Sequence, residues 1–218
     1  LLIVVPIVGV IAYNNLSTAI IILGIAVILI FVANPQFLPF LWIGGTGVGF
    51  IGIFLSLESY RLERLAIWRN PELYEKGYQT MQGLYAIGSG GLFGVGLGES
   101  MQKLGFVPEA QNDMIFSIVC EEFGLVGAVL LIGLFLLLVW RLLMIALHVP
   151  DLSGCLLAAG IMGHILIQVI LNIAVVTNTI PNTGITLPFV SYGGTSVLFL
   201  LAEMGLALSV SRNVRQEP

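Results

Sequence analysis

An all-α, polytopic integral membrane fold follows from three features of this 218-residue sequence. Hydrophobic residues make up 58% of it and charged residues 9%, against roughly 45–50% and 25% in an ordinary soluble domain. Its apolar runs approach or exceed the ~20 residues that a helix needs to cross a bilayer. Most of its charge is collected in one long segment between such runs. So few charges could not cover the surface of a soluble protein of this size. No basic stripe or cluster occurs, which argues against nucleic-acid binding. Cys120 and Cys155 both sit inside apolar runs without pairing or metal-ligand spacing, and read as small core hydrophobes.

Taken in order, Leu1–Tyr13 reads as a truncated first span. It opens inside an apolar run with neither a methionine nor a basic flank, which suits a fragment of a longer protein better than a signal peptide. Asn14-Asn15 breaks the pattern, and Leu16–Val32 forms a second span, stopped by Asn34-Pro35. Phe37–Leu57 is a third, with five glycines that would let neighbouring backbones approach closely. These make up a first part, residues 1–57. A polar excursion, 58–113, follows. Met114–Leu147 is a fourth span, long enough to tilt or to extend beyond the bilayer. Ser153–Val176 is the fifth and Ser191–Val210 the sixth. Between them, at 177–190, Pro181, Gly184 and Pro188 forbid a continuous helix. Irregular backbone at membrane depth is tolerated only within protein or beside a wet cavity, so this segment should dip into the bundle. Arg141 follows the fourth span, and Arg212 and Arg215 the sixth, which puts these ends and the C-terminus on the cytoplasmic side and the long loop outside.

Asp113 is the first candidate for chemistry. It stands where the loop enters the fourth span, and partial desolvation at that boundary would raise its pKa and make it a better base. The competing reading is a helix N-cap, since Asn112-Asp113 precedes an apolar run. Glu121 and Glu122 fall in the first turns of the same span. At 1.5 Å per residue Glu121 lies roughly 12 Å below Asp113, beyond the ~5–9.5 Å of a two-carboxylate glycosidase site. Both are therefore read as structural or cavity-lining, and Glu109 as a group that could approach Asp113. The glycines of Gly88–Gly98 do not match a dinucleotide or P-loop fingerprint. They should let backbone approach a bulky ligand or fold tightly at the interface, with an anion-cradling nest as the alternative.

Arg61, Arg64 and Arg69, interleaved with Tyr60 and Trp68, suit an interfacial helix or contacts to a lipid phosphate. His164, Gln168 and Asn172 share one face of the fifth span, with Glu203 in the sixth. They read as glue between helices, with a proton relay as the alternative.

Three stretches, NPELYEKGYQTMQGLYAIGSGGLFGVGLGES, QKLGFVPEAQNDMIFSIVCEEFGLVGA and IPNTGITLPFVSYGGTS, occur in this order. Together they resemble the SEDS family (FtsW, RodA, SpoVE), and the likeness runs through nearly the whole chain. The resemblance implies a SEDS-type bundle of about ten helices, of which this chain holds the last six. It implies a peptidoglycan glycosyltransferase of the bacterial cytoplasmic membrane that polymerises lipid II beside a class B penicillin-binding protein.

The family's essential aspartate falls on Asp113 in PEAQNDMIF, where Gln111-Asn112 and Met114 depart from the usual residues. Asp113 would be the general base and undecaprenyl pyrophosphate the leaving group. Arg61, Arg64, Arg69, Lys103, Glu109, Ser191 and Tyr192 are the substrate-binding candidates. Glu121, Glu122, Pro181, Gly184, Pro188, Gly193 and Gly194 are assigned structural or cavity-lining roles. No cofactor is implied with certainty; a divalent cation (Mg or Mn) is left open, and no metal-ligand cluster is visible. NNLSTA stands where many relatives carry an acidic segment, and Thr183-Gly184 where some carry a lysine. The pattern leans towards the FtsW or SpoVE branch. The competing functions are a flippase for the same lipid, favoured by the broken segment at 177–190, and a non-catalytic scaffold for a penicillin-binding protein.

Overall fold

A computed structural model describes residues 4–34 and 59–214, and all regular structure among them is helical. The span expected at Phe37–Leu57, and Arg215, lie outside the described residues. The first helices are α1 (Val4–Asn14) and α2 (Leu16–Ala33). The polar break between them is a cap: the Asn15 side chain accepts the Thr18 backbone N–H at 3.1 Å, which satisfies one of the donors left open at a helix start.

The polar excursion holds two helices, α3 (Ser59–Arg69) and α4 (Tyr78–Ser89). Short 3₁₀ turns at Pro71–Leu73 and Glu75–Gly77 link them, and another lies at Gln102–Leu104. Then come α5 (Ile115–His148), α6 (Leu152–Val176) and α7 (Gly194–Ser211). Among the described residues α2, α5, α6 and α7 are long and apolar enough to cross a membrane, as the sequence leads one to expect.

Helix α6 lies at the centre, packed on α2, α5 and α7. Small residues set its approach to α2: Gly163 sits under Ile28, and Gly24 under Ile167. Without water to drive helices together in a bilayer, such close packing supplies the association energy. Asp151 caps α6, its carboxylate accepting the Gly154 N–H at 2.6 Å. The main buried cluster joins Met114, Phe116 and Ile118 of the α5 entry to Ile161, Ile165, Val169 and Val176 of α6 and Leu200 of α7.

The apolar run expected as one span, Met114–Leu147, is broken inside α5. Gly124 has φ 65° and ψ −163°, a conformation open in practice only to glycine. The glycine-rich loop after α4 repairs the damage. Val95 and Gly96 donate their N–H groups to the carbonyls of Glu121 and Glu122, at 2.9 and 3.1 Å. Leu125 and Val126 donate to the carbonyls of Gly91 and Leu92, at 2.9 and 3.1 Å. The glycines thus serve an approach of backbone to backbone: a Cβ on Gly94 would stand 2.1 Å from the Glu122 carbonyl oxygen. Of the two expectations for these glycines, a bulky ligand or tight folding, the contacts with α5 are of the second kind.

Candidate active site

The cleft is built from the ends of four segments. Helix α3 supplies Arg64, Ile67 and Trp68; the turn before α4 supplies Lys76, and α4 itself Gln79 and Thr80. Asp113 comes from the turn that enters α5, and Asn178, Asn182, Thr183 and Gly184 from the non-helical segment after α6. Together they enclose about 340 Å³.

Asp113 is only 8% exposed. Burial pushes its carboxyl above the ordinary value of 3.8, and the nearby Glu109 pushes the same way. Hydrogen bonds from the backbone amides of Asp113 and Met114 and from the Gln79 side chain pull against that rise without cancelling it. Gln79 Nε2 lies 3.3 Å from Oδ1 and 3.5 Å from Oδ2 of Asp113. The N-cap reading of Asp113 fails, because the cap position of α5 is Met114 and no side chain caps it.

The broken segment, expected to dip into the bundle, is packed there by polar contacts at both ends. Asn172 on α6 is fully buried, and its Nδ2 donates to the Asp113 carbonyl at 2.8 Å and to the Ile185 carbonyl at 2.6 Å. Ser191 Oγ donates to the Asn112 carbonyl at 2.6 Å and accepts the Leu187 N–H at 2.7 Å. At its N-terminal end Trp68 Nε1 donates to the Asn178 carbonyl at 2.9 Å, and Asn178 Nδ2 to the Trp68 carbonyl at 3.3 Å. Ser17 at the start of α2 donates to the Thr183 carbonyl at 2.9 Å. Gly184, with φ +67°, passes near the carboxylate: an added Cβ would lie 3.9 Å from Asp113 Oδ2.

Several site residues expected from sequence sit elsewhere. Lys103 is paired with Glu122 at 2.5 Å and, with Glu109, lines a different pocket. Glu121 is hydrogen-bonded to Ser100, so both α5 carboxylates hold the loop onto the helix. Glu109 is engaged by the Asn112 side chain. Arg69 borders a shallow recess with Trp68 and Asn178. Ser191 is a structural tie, and Tyr192 is 74% exposed. Of the substrate-binding candidates whose side chains are described, only Arg64 reaches the cleft with Asp113; the side chain of Arg61 lies outside the described residues. Pro181, Pro188 and Gly193 belong to the non-helical segment and Gly194 opens α7.

The stripe on α6 hydrogen-bonds to the elements around it. His164 Nδ1 meets the Glu203 carboxylate of α7 at 2.9 Å, and Gln168 donates to Thr186 at 3.3 Å. Among the described residues no group of three His, Cys, Asp or Glu could hold a metal ion. Sequence reasoning missed Gln79, Lys76 and Asn182. Lys76 was visible as one of the basic residues of the loop, whereas uncharged amides in a polar loop give no signal.

Comparisons with known proteins agree with this architecture. The model of the cell cycle protein family FtsW/RodA/SpoVE matches residues 1–216. Stage V sporulation protein E of Bacillus subtilis is 47% identical over 204 residues, covering 92% of this chain and 56% of that protein. A probable peptidoglycan glycosyltransferase FtsW of Trichlorobacter lovleyi is 37% identical, covering 94% of this chain and 54% of that one. A chain of a solved peptidoglycan synthase complex superposes with a TM-score of 0.79 at 32% identity, over 99% of this chain and 61% of its own length. The rod-shape-determining protein RodA of Thermus thermophilus gives 0.64 at 30% identity, over 99% and 56%. The chain spans about half the length of the curated relatives it matches.

Proposed function

We propose, because this chain belongs to the FtsW/RodA/SpoVE family of cell cycle proteins, that it is the catalytic part of a peptidoglycan glycosyltransferase. Relatives in that family are named peptidoglycan glycosyltransferases, and the chain is a multi-pass membrane protein with a polar cleft around a buried carboxylate. The donor and acceptor would be lipid II, the undecaprenyl-pyrophosphate-linked disaccharide pentapeptide, presented at the outer face of the cytoplasmic membrane.

In this reading Asp113 takes the proton from the 4-hydroxyl of the acceptor sugar. The oxygen forms a bond to C1 of the donor sugar, and the bond from C1 to undecaprenyl pyrophosphate breaks. Negative charge grows on the departing pyrophosphate, and Arg64 and Lys76, which share the cleft with Asp113, would meet it. A single carboxylate suffices for such a displacement. The observation that carries the reading is Asp113 itself: an 8% exposed base, its carboxyl raised by burial, on the wall of a cleft that also holds cations. A class B penicillin-binding protein would crosslink the product, consistent with the likeness to a chain of a peptidoglycan synthase complex.

The test uses the full-length protein with its penicillin-binding partner and fluorescent lipid II. Wild type should make glycan polymer, and Asp113→Asn, folded and partner-bound, should make none. Polymer from Asp113→Asn at the wild-type rate would refute the assignment, and lipid translocation without polymer would favour the flippase.

A further inference from the structure

We propose that Gln79 is a positioning residue for Asp113, set in its working orientation by Asn182, so that the non-helical segment after α6 controls how the base is presented. The inference rests on the reading of Asp113 as the base. A glutamine side chain has a donating and an accepting end of nearly equal shape, and only its environment decides which end faces a neighbour. Here Nε2 faces the two Asp113 oxygens at 3.3 and 3.5 Å. The other end, Oε1, accepts Asn182 Nδ2 at 3.1 Å. Asn182 is fixed in turn, because its Oδ1 accepts the backbone N–H of Gly184 at 3.1 Å.

These bonds run in one direction, from the Gly184 amide through Asn182 and Gln79 to the carboxylate. The backbone N–H cannot be reversed, so each amide downstream inherits its orientation. Turning Gln79 over would set its oxygen against the Asp113 oxygens and its NH₂ against that of Asn182, losing both bonds and creating two repulsions. The chain therefore delivers a donor to Asp113 whatever the charge on the carboxyl. It holds the group in place and favours the ionised form that a base requires, while hydrogen bonds in series strengthen one another. The sequence separations are long: Gln79 and Asp113 are 34 residues apart, and Asn182 and Gln79 are 103. Three otherwise separate pieces of the protein must be assembled before the base is aligned.

The charged groups facing Asp113 are Glu109 from its own turn and, across the cleft, Arg64 on α3 and Lys76 before α4. Gln79 and Asn182 are neutral, so truncating either changes hydrogen bonding without altering that set. In the full-length protein with its partner and fluorescent lipid II, Gln79→Ala should lower kcat by about 10- to 100-fold, the factor that a hydrogen bond to a charged group is worth. KM should change little, and the acid limb of the pH–rate profile should move to higher pH. Gln79→Glu keeps the shape but replaces the donor with an acceptor, and should move the limb further. Asn182→Ala never touches Asp113 and should show a smaller shift of the same sign.

A pH profile unmoved in both Gln79→Ala and Asn182→Ala, or losses confined to KM, would overturn the proposal. If Gln79→Ala does not fold, Asn182→Ala alone decides. An inactive Asp113→Asn beside unaffected Gln79 variants would reject this inference and leave the base standing; an active Asp113→Asn would reject the base itself.

Discussion

At the scale of single residues, the burial of Asp113 makes stability depend on its charge. Its carboxyl ionises less readily in the folded protein than in the unfolded chain, chiefly because it is buried. Its charge therefore costs stability at every pH above the folded pKa. That cost fades as pH falls through the folded pKa towards the ordinary value of 3.8. Asp113→Asn should accordingly melt at or above the wild-type temperature at pH 7, with the advantage shrinking on acidification, while polymerisation is lost. A melting temperature well below wild type at pH 7 would mean that the carboxylate is structural. The same shift predicts that wild-type activity begins to fall on acidification while an ordinary carboxylate, near pKa 3.9, would still be ionised.

Asp113 was legible in the sequence because a carboxylate before an apolar run is conspicuous. Gln79 and Asn182 were not, since no periodicity links neutral amides that meet only through the tertiary fold. Lys103 misled for a related reason. A cation in the loop before Asp113 suggests a phosphate contact, but Lys103 is held by Glu122, 19 residues on.

At the scale of elements, the instructive case is α5. Its apolar character was legible from composition, and so was its entry near residue 114. The break at Gly124 was not, because glycine is frequent in membrane helices and most such glycines stay helical. What fixes the break is the fit of two backbones. Gly124 adopts φ 65°, and a Cβ there would lie 2.4 Å from the Gly94 nitrogen and 2.6 Å from the Leu92 carbonyl oxygen. No flexible side chain is available to move aside. Gly124→Ala should cost about 1–3 kcal/mol through backbone strain alone, and more through the collision with the loop. A control at helical Gly133, where nothing lies within 4 Å of an added Cβ, should lose no stability as Gly133→Ala and can gain up to about 1 kcal/mol. Thermal melting of the purified protein in detergent compares them, and equal melting temperatures for the two variants would show that the clasp does not hold α5 in shape.

At the scale of the whole molecule, the Asp113 cleft and a contact built from small residues lie at opposite ends of α6. At its C-terminal end Asn172 supports Asp113 and the broken segment. Near its N-terminal end Ala158 and Ala159 pack with Ala146 of α5 against Leu29 and Val32 of α2, and Ala158 has no exposed surface. The fourteen steps along the helix from Ala158 to Asn172 correspond to about 21 Å. A larger side chain at Ala158 would force three helices apart in a core packed with small residues, at about 1–3 kcal/mol for overpacking. Ala158→Leu should therefore lower the melting temperature while the folded fraction keeps the wild-type kcat. Asn172→Leu strips two buried carbonyls of their donor, each worth about 1–3 kcal/mol when left unsatisfied, and disturbs the Asp113 turn directly. It should lose kcat as well as stability. Measured side by side on the full-length protein with its partner, the two variants separate the supporting end from the reacting end. A loss of kcat in Ala158→Leu equal to that in Asn172→Leu would mean that the bundle transmits strain along its whole length, and that the cleft depends on packing far beyond its own walls.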